Sequence, residues 1–184
     1  MKLKYVNLVL IFSSAALFSP AAFASSVCAS GKPASEAACL LTQMKGQALQ
    51  VRHLSDTLIG INHEGWNNFW QYDSSILSRA KRHVNDMDQT LYELRSIQTM
   101  CTPAERRTIR LLAPSVVELS DTTQSTIAYL NQHELTLMFP KYGDDAQVMY
   151  TKANRVVNFV NDYQDYVLER ARLRELRSDL RITS

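Results

Sequence analysis

The chain has 184 residues, 46% of them hydrophobic and 21% charged, with 20 Lys plus Arg against 18 Asp plus Glu. Lys2 and Lys4 supply the whole positive excess, so segment 25–184 carries equal numbers of acids and bases. That balance removes any global electrostatic case for nucleic acid or an anionic membrane as partner.

Lys2 and Lys4 precede an apolar run from Val6 to Phe18, followed by Ala22-Phe23-Ala24. This reads as a secretory signal peptide over residues 1–24, cut after Ala24. The run falls short of the ~20 apolar residues that span a bilayer, and no later segment reaches that length. The expectation is a bacterial protein, periplasmic or secreted, with no transmembrane segment in its mature part. Residues 25–33 form an N-terminal tail.

Segment 34–184 is the domain. Glycine and proline cluster at Gly31/Pro33, Gly60/Gly65, Pro103 and Pro140/Gly143, and long stretches between these places lack breakers. The spacing predicts four helices, at about 34–62, 66–100, 103–138 and 145–181. The first carries a seam at Leu40, Met44, Gln47, Val51, Leu54, Leu58 and Ile61, opens near Pro33, and has Gly65 available as a C-terminal cap. The second runs Trp66, Trp70, Asp73, Leu77, Ala80, Val84, Met87, Leu91, Leu94, Gln98, Cys101, stepping four and three, with a start at either Trp66 or Asp73.

Thr102-Pro103-Ala104-Glu105 is a capping box with proline at the first helical position, and it opens the third helix. The seam there is Ile109, Leu112, Val116, Leu119, Thr123, Thr126, Leu130, His133, Leu137, with a kink expected at Pro114. Phe139-Pro140-Lys141-Tyr142-Gly143 reads as a turn and Asp144 as the next cap. The fourth helix carries Met149, Ala153, Val156, Val160, Tyr163 and Val167, and Leu173, Leu176 and Leu180 continue the stripe. Short turns make sequential helices antiparallel neighbours, so the expected fold is all-α, an up-down-up-down antiparallel four-helix bundle with long helices. It resembles exported bacterial four-helix bundles as a broad class, a likeness that carries no residue-level function.

Three cysteines, Cys28, Cys39 and Cys101, allow one bridge and one leftover thiol. Counting back from the first turn sets Cys39 level with about residue 89, which favours Cys28–Cys101 over the alternative Cys39–Cys101, with Cys28–Cys39 or no bridge behind both. The bundle ends differ. One collects His63, Trp66, Trp70, His133, Tyr142 and Tyr150, the candidate ligand or partner surface, beside the plainer reading of aromatics closing the core. The other collects Arg106, Arg107, Arg110 and the arginines of 170–181.

No metal site is expected: no helix shows His-x-x-x-His or the Glu-x-x-His of di-iron bundles. No cofactor is expected either, for want of Cys-x-x-Cys-His, and no glycine-rich phosphate loop or nucleophile elbow points to catalysis. The function expected is therefore a non-enzymatic interaction or ligand-binding module for an unknown protein or small molecule. A metal- or cofactor-binding bundle with a redox or enzymatic role, and a structural coiled-coil homodimer, stand as alternatives.

Overall fold

A computed structural model describes residues 33–63, 70–133 and 140–182. The described residues form four α-helices and no strand: α1 Pro33–His63, α2 Trp70–Ser96, α3 Pro103–Gln132 and α4 Pro140–Ile182, with a 3-10 turn at Gln98–Met100. α1 packs on α2 and α4, and α3 packs on the same two, which closes a helical bundle around one core.

The seams read from the sequence are what the core buries. Leu40, Met44, Val51, Leu54 and Leu58 are buried on α1, and Leu77, Ala80, Val84, Met87, Leu91 and Leu94 on α2. α3 contributes Ile109, Leu112, Val116, Leu119 and Leu130, and α4 Met149, Ala153, Val156 and Val160. A second buried line, including Leu41, Ala48, Ile76 and Val157, flanks these positions, as expected of a globular bundle whose apolar stripe is wider than a two-residue seam. Thr123 and Thr126 sit on the seam because each hydroxyl donates back to a carbonyl one turn earlier, Leu119 O and Thr122 O, both at 2.7 Å.

Polar contacts set the register. Thr90 Oγ donates to Gln47 Oε1 across α1 and α2 at 3.3 Å. Lys45 Nζ donates to Gln164 Oε1 at 2.8 Å and Arg52 to Asn154 Oδ1 at 3.0 Å across α1 and α4. Lys152 pairs with Glu118 across α3 and α4.

Several boundaries differ from expectation. Of the turn read at 139–143, Phe139 lies outside the described residues and Pro140 to Gly143 are helical, as is Asp144. Asp144 is therefore inside the helix and not its cap. α2 is already helical at Trp70, ahead of a start at Asp73, while Trp66 lies outside the described residues, and Pro114 sits inside α3. Gly65, and the expected end of the third helix at 138, fall outside the described residues. Helices two to four were expected to match in length, yet α2 has 27 residues, α3 has 30 and α4 has 43. α4 outlasts its neighbours. From Asp165 to Leu180 every residue is exposed, an overhang of about 24 Å beyond the start of α3 at ~1.5 Å per residue.

The cysteines are also corrected. Cys101 carries a free, buried thiol that donates to Ile97 O at 3.4 Å, so neither Cys28–Cys101 nor Cys39–Cys101 is formed. Height does not separate the second pair: the Gln47–Thr90 contact puts Cys39 level with about residue 98, not 89. Cys39 is disulfide-bonded, and Cys28 lies outside the described residues. Burial first, then the Glu105 carboxylate, raise the Cys101 thiol above its ordinary value. Iodoacetamide should thus leave the native chain unlabelled over the time that labels a model thiol, and should add one label in denaturant without reductant. Two or more labels under those conditions, counted by mass, would contradict the cysteine assignment.

Candidate functional site

Two regions carry chemistry beyond packing. The first is the end at which the described parts of α2 and α4 begin. Tyr142, in the first turn of α4, is 2% exposed, and Asp73, in the first turn of α2, is 5% exposed. The phenol is set against the carboxyl across the core, between helices that are otherwise not neighbours. The contact falls short of a well-formed hydrogen bond, and Asp73 Oδ1 has no hydrogen-bond partner among the described residues.

Burial raises the Asp73 carboxyl above its ordinary value of 3.8, only partly offset by Tyr142, and burial beside that charge pushes Tyr142 well above an ordinary phenol. The folded acid holds its proton more tightly than the unfolded one. Its desolvation penalty is therefore absent below the ordinary carboxylate pKa and grows as pH rises through the folded value. Asp73→Asn is expected to raise the melting temperature at neutral pH, by roughly 1 kcal/mol of stability, and to change nothing at pH 3. A thermal melt series across pH checks this; equal effects at both pH values would contradict it.

Of the other residues named for this end, His133 closes α3 as its C-terminal cap. Its ring stacks on Tyr129 with centroids 4.2 Å apart, and Nδ1 lies 2.9 Å from Tyr129 O, so its own helix holds it. The Asp88–Ser120 contact sets His133 level with about Ser75, above Trp70. Tyr150 is half-buried on α4, about two turns below His133. Trp66 lies outside the described residues, and of His63 and Trp70 the structure describes the backbone, at the end of α1 and the start of α2. The structure thus gathers Asp73, Tyr142 and His133 at one height, with Tyr142 withdrawn from the surface. Asp73 appeared on the sequence seam, but nothing local announced its tyrosine partner.

The second region lies at the opposite end, where α3 begins. Thr102 and Glu105 form the capping box in both directions: Thr102 N–H donates to Glu105 Oε2 at 2.6 Å, and Glu105 N–H to Thr102 Oγ at 3.3 Å. The second oxygen of the buried Glu105 accepts from Tyr163 of α4 at 3.0 Å. Burial and this carboxylate push the Tyr163 phenol far above its ordinary value. Outside this latch, a groove of about 460 Å³ opens between Pro103, Arg107 and Leu111 of α3 and Phe159, Asp162 and Tyr166 of α4. It leads onto the overhang, where Leu173 and Leu176 are 55% and 51% exposed.

Among the described residues no three His, Cys, Asp or Glu side chains are gathered as a metal site would need, and no helix is long and apolar enough to cross a membrane. Compared with known families, curated proteins and solved structures, the chain matches none.

Proposed function

We propose that this chain is an exported, non-enzymatic interaction module of a bacterial periplasm or extracellular space. Residues 1–24 act as its removable signal peptide, and its helices run up, down, up, down. Opposed numbering of contacts between α1 and α4 and between α3 and α4 supports that topology, and the basic start, apolar run and Ala-x-Ala ending support export. A disulfide at Cys39 fits an oxidising compartment.

The observation that carries the interaction reading is the overhang. A helix continued past the start of α3, with leucines and a tyrosine held in water, costs apolar exposure that a partner would relieve. A photoreactive residue at Leu176, in cells exporting the chain, is expected to give a discrete cross-linked species. The same residue at exposed Gln89 on α2 is expected to give none. The purified chain should begin at Ser25. Equal cross-linking at both positions, or none, would remove the reading.

A second reading, ligand binding at the aromatic end, is favoured by the buried and unsatisfied Asp73 oxygen beside Tyr142. Native mass spectrometry of gently purified protein tests it. A mass above the chain that vanishes on denaturation and is lost in Asp73→Asn supports it; a bare chain removes it.

A further inference from the structure

Along α4, Phe159, Asp162, Tyr166, Glu169, Leu173, Leu176 and Leu180 step three and four, so they share one line. The upper part of that line forms one wall of the α3–α4 groove, and the lower part lies on the overhang. The charges along it are segregated. Residues 158–169 hold three acids, Asp162, Asp165 and Glu169, and no base. Residues 170–181 hold five arginines against Glu175 and Asp179. The two halves therefore carry −3 and +3.

This pattern complements itself in one orientation. In a parallel pair, acids face acids and arginines face arginines. In an antiparallel pair crossing near Glu169 and Arg170, each acidic half lies over a basic half. That arrangement also carries Leu173 and Leu176 of each chain toward the other's groove, where Leu111, Phe159 and Tyr166 offer apolar wall. Such a contact is isologous and closes at two chains.

From this charge complementarity and the continuity of groove with overhang, we infer that α4 docks antiparallel on α4 of a second copy, acidic half over basic half. The inference rests on reading the chain as an interaction module and names its partner. Leucine burial supplies the affinity, and the charges choose orientation and partner.

The test uses the full mature chain with its disulfide intact, in sedimentation equilibrium. The native chain is expected at twice the chain mass, shifting toward one chain as salt rises. A variant with Arg170, Arg174 and Arg177 changed to Glu makes the line acidic throughout. A variant with Asp162, Asp165 and Glu169 changed to Arg makes it basic throughout. All six positions are exposed, so neither change disturbs the core, and circular dichroism verifies this. Each variant alone should be monomeric, and an equimolar mixture should recover the two-chain mass. A native chain that stays monomeric at every concentration, or variants that each still pair, would overturn the inference. If the native chain is monomeric while Leu176 cross-links to a different protein, the second-copy inference falls and the interaction module stands; if it is monomeric and Leu176 cross-links to nothing, both fall.

Discussion

Leu112→Ala is expected to lower the unfolding free energy by about 3–5 kcal/mol, while Leu111→Ala, one residue away, costs less than about 1. Leu112 is 0% exposed at the centre of α3's buried line, and Leu111 is 45% exposed on the groove wall. Removing three buried carbons from Leu112 loses their transfer energy and leaves a cavity that the packed surroundings can only partly fill. Removing the same atoms from Leu111 changes little, since water already reaches them. Urea titration followed by circular dichroism reads the difference. Similar losses at the two positions would mean that α3 is rotated about its axis from the placement described. If the antiparallel pair forms, Leu111→Ala weakens association more than stability.

Glu105→Ala is expected to cost about 3 kcal/mol, more than a helix cap alone. One carboxylate serves two purposes here. Oε2 closes the capping box on Thr102 N–H, and Oε1 holds the Tyr163 hydroxyl of α4. Alanine removes the cap and leaves a buried phenol without its acceptor, and the second loss makes this site sensitive. Tyr163→Phe, which removes the donor together with its need for a partner, should cost about 1 kcal/mol and leave the cap intact. Thermal or urea unfolding of the two variants and their double mutant measures the coupling. Additive losses would mean that the carboxylate acts only as a cap.

The sequence by itself determined which side of each helix faces inward. The steps of three and four through Leu40–Leu58, Leu77–Leu94, Ile109–Leu130 and Met149–Val160 are a local property of rotation about one axis, and burial follows them. The Thr102–Glu105 box is local too, four consecutive residues with their own hydrogen bonds. What the tertiary structure decided is the sliding of one helix along another. Periodicity carries no information about that offset; it depends on where each helix starts and on distant contacts such as Gln47 with Thr90. That offset brought Cys39 to the level of the second helix's end, set Tyr142 beside Asp73, and let Tyr163 meet Glu105. The same offset settled the leucines of α4. The stripe through Leu173, Leu176 and Leu180 reads as core in sequence, because the pattern is that of core. It is surface in the fold, because α3 begins level with about residue 165 and leaves that side of α4 uncovered.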